Sequence, residues 1–263
     1  MILLLLACAG DPSPTGTNPV HDEPTELLPE GYTSLSAARF STDGASVAGM
    51  ASTADADHLV SVDLADGAVT VLHEEGLSYL TTTAWQGGTL YWSGDGGIWR
   101  NPASPELVVD DFAVLAFDVS PDGAHIAWST NGGTSLYLGS LTTVPVTGEE
   151  TLASGSRPRF DPTSSALAYV DDDAGNHAWM SLDERVAGPL PLDVDYLGNA
   201  DWVDDDTLLL LGVDDIHSYT LGDAAPELVR EAFAAMDLDV SPDGSQYLWN
   251  VNGQRQLFIA ALP

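Results

Sequence analysis

One sequence segment of this chain occurs twice in closely similar form. Residues 117–128 read FDVSPDGAHIAW, and residues 238–249, which lie 121 positions later, read LDVSPDGSQYLW. A repeat constrains a fold more than a single motif does, because each copy forms the same local unit and neighbouring units must pack together. The two copies therefore predict an architecture assembled from similar units.

More divergent copies of the same segment occur along the rest of the chain. Aligned on the residue before the turn, the units are RFSTDGASVAG (Phe40), AWQGGTLYWSG (Trp85), DVSPDGAHIAW (Val119), RFDPTSSALAY (Phe160), DWVDDDTLLLL (Trp202) and DVSPDGSQYLW (Val240). Successive units lie 34 to 45 residues apart. Each reads as a strand, a tight turn and three further strands, and the Pro-Asp-Gly turns suit a hairpin.

Four strands in about 40 residues are typical of one β-propeller blade. The SPDG turn followed by a small, apolar strand resembles the TolB-type repeat, also known as the PD40 or WD-like repeat, from Thr25 to Pro263. The resemblance implies an all-β, six-bladed β-propeller that recognises a protein partner and uses no cofactor. A two-sheet β-sandwich is the alternative, although it would not require six units in phase.

The two ends of the chain suggest how such a ring closes. After its turn the last unit offers only QYLWNV and QLFIAAL, one strand too few, whereas the segment Glu26–Pro29 precedes the first unit as a surplus strand. We expect this N-terminal strand to complete the last blade, which removes two exposed sheet edges. Residues 25–263 would then form a single propeller domain.

The N-terminus carries a second resemblance. The apolar run Ile2–Ala7 is too short to span a bilayer, which takes about 20 residues, but Leu5-Leu6-Ala7-Cys8 resembles the bacterial lipobox. That resemblance implies a signal remnant at 1–8, lipidation of Cys8, a flexible Pro/Thr/Gly-rich tether at 9–24, and a lipoprotein on the periplasmic side or surface of the bacterial envelope, such as the outer membrane. The alternative is an apolar N-terminus with an ordinary cysteine.

The charge balance excludes one class of partner. Forty acidic residues face seven arginines, for a formal net charge of -33, which repels nucleic-acid phosphates and anionic lipids. A charged partner should therefore be cationic, unless the acidity reflects only habitat or codon usage. We expect a monomer that binds an unknown protein or peptide and contacts a membrane only through a lipid anchor.

No catalytic or metal-binding motif accompanies the repeats. The chain lacks a G-x-S-x-G elbow, an H-E-x-x-H pair and a phosphate-binding glycine loop, and its six histidines fall at unrelated places in the units. The acidic run Asp171–Asp173 lacks the glycine and glutamate spacing of a calcium loop, so a solvated turn is the better interpretation. We expect no catalytic residue, no metal and no cofactor.

A charged column precedes the aligned position in the innermost strands. It comprises Arg39, Ala84, Asp118, Arg159, Asp201 and Asp239, and side-chain alternation places it on the face opposite the apolar column that starts with Phe40. We expect Arg39 to pair with Asp239, and Arg159 to lie between Asp118 and Asp201, as ion pairs between blades. Alternatively, Arg157 and Arg159 offer a cationic spot for a ligand carboxylate.

Aromatic residues recur six to eight positions before the alignment position, in the loops that enter the inner strands. Together with the two arginines they form the candidate partner-binding face Tyr32, Tyr79, Phe112, Arg157, Arg159, Tyr196 and Phe233. These rings either pack between blades or surround the channel mouth. The fourth unit replaces its ring with the polar segment 154–157, so a binding pocket is expected there.

These observations predict a non-enzymatic, envelope-associated propeller that serves as a protein- or peptide-binding scaffold. The alternative is a propeller enzyme or a sugar-binding protein with a carboxylate-lined or metal-containing channel. A convergent cluster of Glu, Asn and Asp side chains at the channel mouth would distinguish the second class from the first.

Overall fold

The computed structural model describes residues 23–74, 77, 82–130, 135–191, 198–212, 214–232, 235–251 and 256–263. Every regular element in these ranges is a β-strand, so the all-β prediction is confirmed for them. None of these residues belongs to a helix that could cross a lipid bilayer. Cys8 and most of the expected tether lie outside the described residues.

The first two sheets each contain four antiparallel strands in chain order. The first consists of β2 (Ser34–Phe40), β3 (Ser46–Ser52), β4 (Asp57–Asp63) and β5 (Val69–His73). The second consists of β6 (Thr83–Gln86), β7 (Thr89–Gly94), β8 (Gly97–Arg100) and β9 (Glu106–Val109). Each is the strand-turn-strand unit that the repeat predicts.

The third and fourth units share one seven-stranded sheet, where six separate sheets were expected. Its strands are β10 (Val114–Val119), β11 (His125–Thr130), β12 (Ser135–Ser140), β13 (Glu150–Phe160), β14 (Ala166–Asp171), β15 (Asn176–Ser181) and β16 (Ala187–Pro189). The N-terminal half of β13 pairs with β12 and its C-terminal half pairs with β14. The described residues thus form five hydrogen-bonded sheets, because β13 continues from the third unit into the fourth without a turn.

The remaining two sheets bring the chain back to its beginning. One contains β17 (Ala200–Trp202), β18 (Thr207–Leu211), β19 (Asp215–Thr220) and β20 (Glu227–Glu231), and the other contains β21 (Ala235–Val240), β22 (Gln246–Val251), β23 (Gln256–Ala261) and β1 (Thr25–Glu26). Thr25 pairs with Ile259, and the Leu27 N–H donates to the Leu257 carbonyl at 2.8 Å. The N-terminal segment therefore joins the last sheet, as its sequence predicted.

The repeated turn is built from local hydrogen bonds. In the last unit the Ser241 hydroxyl donates to Asp243 Oδ1 at 2.7 Å, and the Gly244 N–H donates to the Ser241 carbonyl at 2.8 Å. Gly244 has a φ of 68°, in the left-handed region that glycine adopts without a Cβ penalty. Hydrogen bonds from Ser241 and Ser245 lower the pKa of Asp243 to about 2. Equivalent turns surround Gly44 and Gly123.

The apolar core lies between neighbouring sheets. Phe117 and Trp128 of the seven-stranded sheet pack in one cluster with Ile98 of the second sheet. In the same way Leu35 of the first sheet shares a cluster with Leu248 of the last sheet. Burial of this apolar area holds the sheets face to face and places their first strands together.

Candidate functional site

The inner strands bring Arg39 and Asp239 together. Arg39 Nη1 lies 2.6 Å from Asp239 Oδ1 and 3.0 Å from the Leu238 carbonyl, and the two residues are only 5% and 8% exposed. A buried ion pair with additional hydrogen bonds is strongly destabilised when one partner is removed. This contact therefore links the first strand of the first sheet to the first strand of the last sheet.

Arg159 contacts a different carboxylate from the two that the sequence predicts. Its Nη2 lies 3.5 Å from Asp237 Oδ1, and the same oxygen lies 3.9 Å from Arg39 Nη2. Among the described residues, neither Asp118 nor Asp201 lies within the 4.0 Å ion-pair distance of Arg159. Asp237 was missed because one position per strand was considered, although it lies two residues before Asp239 on the same face.

The three aspartates of the charged column accept backbone hydrogen bonds from neighbouring inner strands. Asp118 Oδ2 accepts the Phe160 N–H at 2.8 Å, and Asp201 Oδ2 accepts the Val240 N–H at 2.8 Å. Asp239 Oδ2 accepts the Phe40 N–H at 2.7 Å. Each carboxylate thus joins two strands that do not pair with each other, which gives the column a structural function.

Burial changes the acidity of this group. Desolvation raises the pKa of Asp118 to about 7, with Arg39 acting in the opposite direction. Desolvation also raises the pKa of Asp201 and of Asp239. Burial alone would lower the pKa of Arg39, but Asp239, Asp237 and the other carboxylates raise it above its ordinary value. The three carboxyl groups are therefore protonated at higher pH than exposed aspartates are.

A cavity of about 230 Å³ lies at the N-terminal ends of the inner strands, and we name it the upper cavity. It is lined by Ser36, Ala37, Thr82, Leu115, Ala116, Arg157, Arg159, Asn199, Met236, Asp237 and Asn250. Arg157 and Arg159, which the sequence suggested as a cationic spot for a ligand carboxylate, both line this cavity. Asn199 bonds to both the N–H and the carbonyl of Leu238, so its amide serves the backbone.

Arg157 occupies a bulge in β13 with a left-handed φ of 55°. Its guanidinium Nη1 donates to the Met236 carbonyl at 3.1 Å. Ala37 has the same conformation, with a φ of 53°, in the equivalent bulge of β2. The backbone conformation therefore does not by itself require an arginine at this position.

Arg157 also differs in its contacts from Arg39, Arg159, Arg100 and Arg185. Arg39 and Arg159 contact buried aspartates, whereas Arg100 and Arg185 bond to Glu106 and Glu150 near the surface. In the described part of the chain no carboxylate lies within 4.0 Å of the Arg157 guanidinium. A cation without a carboxylate partner is unusual in a chain with 40 acidic residues.

The structure describes two of the five aromatic residues in the expected partner-binding face. Tyr32 packs edge-on against His58, with ring centroids 6.1 Å apart, and contacts the core between the first and last sheets. Phe112 is 80% exposed. Tyr79, Tyr196 and Phe233 lie outside the described residues. The described contacts therefore place Tyr32 in packing.

A second cavity of about 340 Å³ lies at the opposite ends of the inner strands, and we name it the lower cavity. Its lining includes Phe40, Trp85, Val119, Phe160, Trp202 and Val240, together with Asp118, Arg159, Asp201 and Asp239. Alternation along a strand suggested that the apolar column faces away from the charged column. All six residues of the apolar column and four of the six residues of the charged column nevertheless line this cavity. The order Phe-Trp-Val, which the apolar column repeats, is the sequence signal that could have revealed it.

The acidic loops form hydrogen-bonded turns. Asp171 Oδ1 accepts the N–H groups of Asp173 and Ala174, at 3.0 and 2.9 Å. Within the described ranges, no three His, Cys, Asp or Glu side chains are grouped closely enough to hold a metal ion.

Comparisons with known proteins show similarity in structure. No protein-family model and no curated protein matches the sequence. A gluconolactonase from Xanthomonas campestris matches with a TM-score of 0.71 at 14% identity, over 92% of this chain and 91% of that one. A TolB structure from Agrobacterium tumefaciens matches with a TM-score of 0.58 at 19% identity, over 69% of this chain and 73% of that one. A nidogen/laminin complex matches with a TM-score of 0.61 at 13% identity, over 72% of this chain and 76% of that one. These neighbours are β-propeller proteins, so the chain has a propeller-like, all-β fold.

Proposed function

We propose that the five sheets form six blades of a closed, TolB-type ring. The seven-stranded sheet counts as two blades, because β13 pairs with β12 through one half and with β14 through the other. Closure is supported by the pairing of β1 with β23 and by the Arg39–Asp239 contact between the first and last units. The SPDG turns and the structural similarity to TolB support the subtype.

We propose that this propeller is a non-enzymatic binding protein that recognises a carboxylate-bearing peptide or protein segment at the upper cavity. The observation that carries the proposal is Arg157, whose guanidinium lines this cavity with no carboxylate partner in the described residues. An arginine holds a carboxylate through two parallel N–H···O bonds. The backbone conformation at this position is available to alanine, so the arginine itself suits a ligand.

The dimensions of the upper cavity favour the terminus of a peptide as the ligand. Its volume of about 230 Å³ is smaller than the 300–1,000 Å³ common for drug-sized ligands. Asn250 Oδ1 is buried and has no hydrogen-bond partner in the described part of the protein, which makes it an acceptor for a ligand N–H. A C-terminal residue supplies both a carboxylate and an adjacent N–H, so a peptide C-terminus fits best.

Selection from a peptide library with free C-termini tests this proposal. Binding of the selected peptides, followed by fluorescence anisotropy, is expected to weaken at least tenfold when the C-terminus is amidated or when Arg157→Gln is introduced, because a charge-assisted pair is lost. Arg185→Gln is the matched control, since Arg185 pairs with Glu150 outside the cavity, and it should leave affinity unchanged. Peptides that bind equally well after both changes would contradict the proposal.

The second candidate function is an enzyme. The structure is similar to that of a gluconolactonase, and at 14% identity this similarity shows a shared fold on which such an activity occurs. Incubating the protein with gluconolactone, with and without added divalent cations, distinguishes the two. Hydrolysis that depends on the protein and is abolished by Asp237→Asn would favour the enzyme.

We propose further that the protein is a lipoprotein of the bacterial envelope, attached through Cys8. Support comes from Leu5-Leu6-Ala7-Cys8, which resembles a lipobox, and from the Pro/Thr/Gly-rich stretch that follows. Cells that express the full chain should incorporate radiolabelled palmitate into the wild-type protein and not into Cys8→Ser. Cys8→Ala serves as a second variant, and equal labelling of wild type and both variants would refute the anchor.

A further inference from the structure

The walls of the lower cavity are aromatic and follow a twofold pattern. The six aligned positions read Phe40, Trp85, Val119, Phe160, Trp202 and Val240, so the order Phe-Trp-Val occurs twice around the cavity. Phe40 and Phe160 therefore occupy equivalent units, as do Trp85 and Trp202. Trp202 donates its indole N–H to the Arg159 carbonyl at 3.2 Å, so this polar atom is already used by the protein. Aromatic carbon surface is what these residues offer to a ligand.

Charged groups line the same cavity between the aromatic walls. Asp118, Asp201 and Asp239 supply three carboxylates, and Arg159 supplies one guanidinium. Including Arg39 and Asp237, which contact this group, four carboxylates face two guanidiniums. Burial raises the pKa of the three aspartates, so the negative charge of the group increases as pH rises above neutrality. A cation that enters the cavity would offset this negative charge.

The aromatic walls and the carboxylates select the same ligand chemistry. An organic ammonium is attracted both to the face of an aromatic ring and to a carboxylate, whereas an anion would be repelled by the surplus charge. Each aspartate already accepts one backbone N–H, so only part of its hydrogen-bonding capacity is left for a ligand. An organic ammonium suits such a site because it needs few hydrogen bonds. The net charge of -33 further raises the concentration of cations at the surface.

We propose that the lower cavity binds an organic ammonium group. The volume of about 340 Å³ suits a small molecule or a single side chain. The lower cavity lies at the opposite ends of the inner strands from the upper cavity, shares Arg159 with it and takes a ligand of opposite charge. Arg157 lines only the upper cavity and Trp85 only the lower one, so variants of these two residues test the two functions separately.

Titration of the full chain with choline tests the proposal. Two of the seven tryptophans line the cavity, so tryptophan fluorescence and calorimetry should both report saturable binding. The neutral control of the same shape is 3,3-dimethylbutan-1-ol, with ionic strength held constant by sodium chloride. N-acetyl-lysine amide and its neutral counterpart, N-acetyl-norleucine amide, form the second arm. We expect at least one ammonium ligand to bind at least ten times more tightly than its neutral counterpart. Tighter binding of choline would identify the natural ligand as a small free molecule, and tighter binding of the lysine derivative would identify it as a protein side chain.

Two variants connect the binding to the cavity. Trp85→Leu removes an aromatic wall, and Asp118→Asn removes a charge while keeping an acceptor for the Phe160 N–H. Each should weaken ammonium binding at least fivefold, whereas Trp99→Leu, in the same sheet and outside the cavity, should not. Equal binding of charged and neutral ligands, no saturable binding of either ammonium, or equal effects of Trp85→Leu and Trp99→Leu would overturn the proposal.

Discussion

Replacing Arg39 with methionine is expected to lower the free energy of unfolding by about 3–5 kcal/mol, the typical cost of removing one partner from a buried ion pair. Arg39 is 5% exposed and contacts Asp239 at 2.6 Å and Asp237 at 3.9 Å. Its loss leaves four neighbouring carboxylates with a single guanidinium. Urea unfolding at pH 7, followed by tryptophan fluorescence, measures the change.

The surplus of carboxylates predicts an asymmetry between the two partners. Asp239→Asn keeps an acceptor for the Phe40 N–H and removes one of the excess negative charges, so it should cost at least about 2 kcal/mol less than Arg39→Met. Arg100→Met is the control, because Arg100 pairs with Glu106 in a more exposed place and should change stability by about 1 kcal/mol or less. Equal costs for Arg39→Met and Arg100→Met would show that the Arg39–Asp239 pair does not hold the first and last sheets together.

Stability should fall as pH rises from about 4 to 7, and Asp118 should account for a large part of this slope. Its pKa of about 7 in the folded protein lies above the ordinary aspartate value of 3.8, so the folded protein binds more protons than the unfolded chain between these values. A state that binds more protons loses stability as pH rises through that window. With about 1.4 kcal/mol per pKa unit, the contribution of this single group is at most about 4 kcal/mol.

The groups that face Asp118 act in known directions. Arg39 favours the ionised carboxylate, whereas Asp239 disfavours it, and the Phe160 N–H donates to it. Asp201 and Asp239 contribute slopes of the same sign as Asp118, since burial raises the pKa of both. The exposed turn residue Asp243 acts oppositely, because its lowered pKa costs stability as pH falls below about 4. Stability should therefore be greatest near pH 4.

Asp118→Asn separates this buried contribution from general repulsion among surface carboxylates. The variant should be more stable than wild type at pH 8 and should show a shallower slope between about pH 4 and 7. Asp110→Asn, at an exposed position outside both cavities, is the control for net charge. Urea unfolding in 0.5 M sodium chloride screens the surface charges more than the buried ones. Identical slopes in the two variants would mean that surface repulsion alone causes the pH dependence.

The features that were predictable from the sequence are those that short segments or a repeated column determine. The SPDG turns form from residues within one short stretch, as the bonds among Ser241, Asp243 and Gly244 show. Arg39 and Asp239 could be matched because they share one column of adjoining units. The N-terminal strand was recognisable because the last unit lacked one strand and the first had one to spare.

Bulges decided much of what the sequence left open. The register of β13 shifts between Ser156 and Arg159, and that of β21 shifts between Ala235 and Asp237. A bulge depends on how a strand pairs with its partner, which no local pattern encodes. These shifts place Arg157 in the upper cavity and accompany the contact of Arg159 with Asp237, where a regular strand would have suggested Asp118 and Asp201.

By itself, the sequence determined the all-β class, the turn chemistry and the residues that join the chain's beginning to its end, because each depends on local bonding or on the count of repeated strands. Only the tertiary structure decided that the third and fourth units share β13 and that two cavities of opposite character lie at the two ends of the inner strands. Those features arise where side chains from units far apart in sequence meet. Their distances and surplus charge depend on how all the sheets pack around one another.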